Sequence, residues 1–86
     1  MQVRFTMHAL RKFAVLRRHG FRVSKQRVVR VVEKPDLVDY SRLPLLIAQS
    51  GYDTGRVLRV VYKIKGNTMV VITFYPGMKS QYEKEK

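Results

Sequence analysis

The sequence contains no cysteine, which excludes disulfide stapling and any zinc site built on thiolates. Two histidines cannot by themselves complete a metal site, and no residue pattern calls for a cofactor. Acidic residues are scarce, six in all, and Asp36, Asp39 and Asp53 fall singly in presumed loops. Without paired carboxylates or a phosphate-binding loop motif, glycosidase, kinase and metallohydrolase chemistries have no support. No apolar run approaches the length of a membrane span, and the opening Met-Gln-Val-Arg-Phe-Thr-Met-His lacks an apolar signal core. A cytoplasmic protein with no membrane partner is therefore expected.

What is abundant is positive charge. Eighteen Lys and Arg residues give the 86-residue chain a formal charge of +12, spread through every expected element rather than gathered in a tail. Solubility of a small domain needs a net charge of only about 2 to 8. The excess repels itself and points to a polyanion, RNA or DNA, or to an acidic protein partner. At 45% hydrophobic residues the chain is too apolar for a disordered basic tail. Its length allows one domain and one core.

Residues Gln2 to Thr6 alternate as a short strand. From Met7 to His19, Leu10, Phe13, Ala14 and Leu16 recur at helical spacing, with Thr6 as N-cap and Gly20 as stop. A second helix opens at Ser24 and ends before Pro35, with Val28, Val31 and Val32 as its apolar stripe. Its valines and its leading Lys25 and Arg27 oppose helix propensity and dipole, so packing onto a sheet must hold it. Phe21 and Val23 read as plugs between the helices. Leu45 to Ala48 reads as a strand, followed by a turn cluster from Ser50 to Gly55. In Val57 to Ile64, Leu58, Val60, Tyr62 and Ile64 form a core-facing set, and Arg59 and Lys63 lie on the other side. Gly66 and Asn67 supply positive φ for a hairpin. The return strand Thr68 to Tyr75 places Val70, Ile72 and Phe74 on one side and Met69, Val71, Thr73 and Tyr75 on the other, and Pro76-Gly77 ends it. The expected fold is α+β: two N-terminal helices packed on one face of a small antiparallel sheet, in the order β-α-α-β-β-β, over residues 1–77. Residues 78–86 form a charged C-terminal tail. The sheet's other face is left to bind a partner.

His8-Ala9 opening the first helix, Gly20 closing it, the Phe21-Arg22-Val23-Ser24 entry, Pro35, and Leu58-Arg59-Val60-Val61-Tyr62 paired with Val70-Val71-Ile72-Thr73 resemble a family of small prokaryotic domains. That family is grouped with the RelE/ParE toxin superfamily, near its BrnT branch. The resemblance covers His8 to about Pro76. It implies a compact sheet with two N-terminal helices, an action on RNA or the ribosome, and a small acidic antitoxin as partner. The superfamily includes messenger RNA endonucleases and gyrase inhibitors, and fold does not choose between them.

Metal-free RNA cleavage needs a base near the 2′-hydroxyl, fixed cations for the charge on phosphorus, and a proton donor for the leaving oxygen. Arg59 and Lys63, four apart on a strand, project to one side at roughly 13 Å, with Arg56 just before the strand. Arg56, Lys63 and Tyr75 are the expected nucleic-acid-binding residues, Tyr75 by stacking on a base. The resemblance implies Arg59 and a C-terminal tyrosine as catalytic residues, Tyr82 being the nearest match and Tyr75 the other candidate. His8 is the other catalytic candidate, because an imidazole exchanges protons near neutral pH. The same basic surface also fits a non-catalytic nucleic-acid or ribosome-binding module, or a domain that receives an acidic protein.

Overall fold

In a computed structural model that describes residues 1–82, the chain forms five strands and three helices. They follow in the order β1 (Gln2–Phe5), α1 (Met7–Arg18), α2 (Lys25–Glu33), β2 (Leu37–Asp39), β3 (Leu46–Gly51), β4 (Arg56–Lys65), β5 (Thr68–Met78) and α3 (Lys79–Tyr82). The strands make one sheet in the order β1-β5-β4-β3-β2. β2 to β5 run antiparallel, but β1 lies parallel to β5, so the sheet is mixed rather than wholly antiparallel. After β1 the chain crosses one sheet face as α1 and α2 and re-enters at the opposite edge as β2.

Local chemistry accounts for both long helices. Thr6 Oγ1 accepts from the Ala9 N–H at 3.1 Å, and Ser24 Oγ accepts from the Arg27 N–H at 3.1 Å, each satisfying an orphan amide of a first turn. Gly20 closes α1 at φ +83°, a conformation that favours glycine. At the β4–β5 hairpin only Gly66 takes a positive φ, and Asn67 does not. The helices bury Ala9, Val28, Val31 and Val32 against Ala48, Leu58, Val60, Tyr62, Val71 and Phe74. Phe21 plugs the helix connection at 3% exposure, as its position suggested. Phe13 meets Phe74 at 4.6 Å between ring centroids and Phe5 at 5.9 Å, tying α1 to the sheet.

The strict alternation expected for β5 fails at one place. Val61 pairs with Thr73 but Tyr62 pairs with Val71, so Ile72 is an extra residue, a β-bulge. Both Val71 and Phe74 therefore point into the helix-side core, each fully buried, although their spacing is odd. Beyond the bulge Thr73 and Tyr75 face the uncovered side, opposite Val61 and Arg59. Thr6 anchors this irregularity, because its N–H donates to Val71 O at 3.0 Å and its hydroxyl to Ile72 O at 3.2 Å. The strand then continues through Pro76 and Gly77 to Met78, and α3 follows directly. Packed structure thus extends past the expected boundary at residue 77. Residues 83–86 of the expected tail lie outside the described residues.

Candidate functional site

Arg59 projects from β4 onto the face opposite α1 and α2. It is only 5% exposed. Ladder register places Gln49 of β3 on one side of it and Tyr75 of β5 on the other. Asp39, at the end of β2, reaches the same guanidinium from two strands away. Arg59 Nη2 donates to Asp39 Oδ2 at 2.9 Å, Nη1 to Gln49 Oε1, and Nε to the Tyr75 hydroxyl at 3.2 Å. The Tyr82 ring lies over the guanidinium, 4.1 Å from Cζ to ring centroid. A guanidinium has five N–H donors. Three are engaged here, one on each nitrogen, and the other two have no acceptor among the described residues.

The electrostatics follow from this geometry. Asp39 is held at about 2, chiefly by hydrogen bonds from Ser41, including its backbone N–H at 2.9 Å, and further by Arg59. Burial opposes the Arg59 charge, but the Tyr75 hydroxyl and Asp39 outweigh it and raise the guanidinium above its ordinary value. Beside this pair opens a cleft of about 320 Å³, bordered by Ser41, Arg42, Tyr75 and Tyr82 and floored by Ile47 and Val61. Arg42 is exposed at its rim. Among the described residues two buried polar atoms lack partners, the Gln49 amide nitrogen, beside Arg59, and the Thr73 hydroxyl, on the same sheet face.

Three expected site residues, Arg59, Tyr75 and Tyr82, converge here. Lys63 shares the open face, but four residues farther along β4, beside Arg4 and Lys65. Arg56 belongs to another structure. It pairs with Asp53 at 2.8 Å and stacks on Phe21 and Tyr52, its Cζ 5.3 and 5.1 Å from their centroids. Its hydrogen bonds hold the Asp53 carboxyl below its ordinary value. The side chain fastens the β3–β4 turn to the helix connection, away from the Arg59 face. His8 is exposed on α1, which packs on the opposite face of the sheet. Neither His8 nor Arg56 borders the cleft. Tyr62 is buried in the core at 5% exposure, as its alternation indicated.

Asp39, Gln49, Ser41 and Arg42 escaped sequence reasoning. Asp39 and Ser41 carried a local signal, because Asp-x-Ser suits a side-chain-to-backbone turn. Nothing local tied either to Arg59. Among the described residues no group of three or more His, Asp or Glu side chains could hold a metal ion. No described helix is long and apolar enough to cross a membrane. No protein-family model matches the sequence, nor does any curated protein or solved structure.

Proposed function

We propose that this chain is a RelE-like, toxin-family protein that acts on RNA, with the Arg59 cleft receiving a phosphate of the strand. The observation that carries the reading is a buried guanidinium, with two N–H donors that have no acceptor among the described residues, beside a cleft on the sheet face opposite α1 and α2. Fixed, partly desolvated donors of this kind suit a phosphodiester better than a mobile surface lysine does. Arg42 at the rim adds a second cation, and Tyr75 offers a ring for an adjacent base. The net charge of +12 would draw the strand toward this face.

Strand scission is a second reading, favoured by one contact: the Tyr82 phenol is stacked on Arg59. Arg59 would stabilise charge on phosphorus and Tyr82 would move the proton. Asp39, held at about 2, is a poor base, and His8 is on the other face of the sheet. Scission in the cleft therefore depends on Tyr82. In a RelE-like system a small acidic partner encoded nearby would be expected to co-purify and silence the protein.

The test is binding of single-stranded RNA to the purified chain, together with mapping of transcript ends after induction without a partner. Wild type should bind with steep salt dependence, and Arg42→Gln should weaken binding and flatten that dependence. Tyr82→Phe should retain binding and, if scission occurs, abolish new transcript ends. RNA affinity that ignores both salt and Arg42 would overturn the proposal.

A further inference from the structure

Four residues along β4 from Arg59, three cations surround one apolar residue. Lys63 and Arg4 are both register partners of Val70, one from each flanking strand, and Lys65 follows Lys63 on the same face. Strand spacing puts the Lys63 and Arg4 backbones about 9.6 Å apart, and strand rise puts Lys65 about 7 Å beyond Lys63. Arg4, Lys63, Lys65, Val70, Phe5 and Thr6 border a hollow of about 230 Å³. All three cations are exposed, and among the described residues none of them makes an ion pair. The two acids that form ion pairs among the described residues do so elsewhere, Asp39 with Arg59 and Asp53 with Arg56. Like charges on neighbouring strands destabilise a sheet, and here no carboxylate of the described residues pairs with them.

We propose that this hollow is a second phosphate subsite, which takes a phosphodiester of the same single strand that places another of its phosphates, farther along the chain, in the Arg59 cleft. The assignment rests on the reading of that cleft as an RNA site. The strand then runs along β4, over the open face, with the subsites about 13 Å apart. That separation exceeds the reach of a single phosphate, so a dinucleotide cannot contact both while a longer strand can. The chemistry differs between them. The cleft holds a fixed guanidinium with aromatic neighbours, whereas the hollow offers mobile ammonium groups and one guanidinium, suited to charge alone.

The experiment compares diuridine monophosphate with an oligouridylate of about twelve nucleotides, a length within the range covered by small single-strand-binding folds. Dissociation constants are measured across a salt series for wild type, Arg4→Gln, the double variant Lys63→Gln/Lys65→Gln, and Arg42→Gln. Thermal melts establish that each variant is folded, as exposed positions allow. For the long strand, the double variant should weaken binding severalfold and reduce the slope of log K against log salt by about 0.7 for each phosphate that is no longer neutralised. Arg4→Gln should act in the same direction. Dinucleotide binding should respond to Arg42→Gln and ignore the other variants. If the long strand depends on Arg42 but not on Arg4, Lys63 or Lys65, the second subsite is wrong and the cleft stands. If neither oligonucleotide responds to any variant, both readings fall.

Discussion

Arg59 keeps its charge at 5% exposure because three strands supply acceptors: Asp39 from β2, Gln49 from β3 and Tyr75 from β5. A solvated strand face, the ordinary place for an arginine in an alternating strand, predicts almost no stability cost for its removal. The structure predicts otherwise. Arg59→Ala removes three hydrogen bonds and leaves Asp39 without its cation, so it should cost about 2 to 4 kcal/mol in urea unfolding. A cost within about 0.5 kcal/mol, the surface value, would show that the network is dispensable. Loss of activity in that variant would confound folding with function, which is why Arg42 and Tyr82 are the better probes. Asp39 gives a second prediction. Its carboxyl is lowered from 3.8 to about 2, so its contribution is present above about pH 4 and is lost as pH falls toward 2. Unfolding free energies should drop through that window in wild type. In Asp39→Asn the drop should be smaller.

At the scale of elements, the β5 bulge decides what shares a face with Arg59. One extra residue at Ile72 shifts Phe74 into the core and aligns Tyr75 with Arg59. The end of β5 then positions the last aromatic. A Cβ built on Gly77 would collide with the Tyr82 ring, so this glycine is the floor on which the ring rests. Gly77→Ala should therefore leave the sheet intact and displace Tyr82 from Arg59, because a ring on a single-turn helix moves more easily than a paired strand. Aromatic resonances of Tyr82 should shift toward random-coil values while core methyl resonances stay put. Unchanged Tyr82 resonances would contradict that packing. The α2 helix shows how unfavourable propensity is overcome. Its leading Lys25 and Arg27 have no acid beside them in the first turn. Lys25 instead lies over Phe5 at 5.4 Å, and Arg27 lies over Tyr52 at 4.6 Å while donating to the Gly51 and Tyr52 carbonyls. Aromatic faces and carbonyls thus take the place of the missing carboxylates.

At the scale of the molecule, a formal charge of +12 is carried by a fold whose radius of gyration is 12.4 Å. The Debye length is about 30 Å at 0.01 M salt and about 8 Å at 0.15 M, so at low salt most of these charges repel one another. The melting temperature should rise with sodium chloride over that range, and the double variant Lys63→Gln/Lys65→Gln should melt higher than wild type at low salt. A melting temperature independent of salt would mean that the repulsion is already relieved within the fold. Both helices, their capping residues and the hairpin glycine were legible in the sequence, since each rests on contacts between residues a few positions apart, whereas the β4 alternation held only in part, because Ile64, expected in the core-facing set, lies exposed near the strand's end. The excess charge was equally plain. Tertiary structure alone decided that β1 pairs in parallel with β5, that a bulge resets the second half of β5, and that Arg56 is consumed by Asp53, Phe21 and Tyr52. It alone gathered Asp39, Gln49, Tyr75 and Tyr82 around Arg59, because those residues are brought together by strand order and register, and neither leaves a periodic trace along the chain.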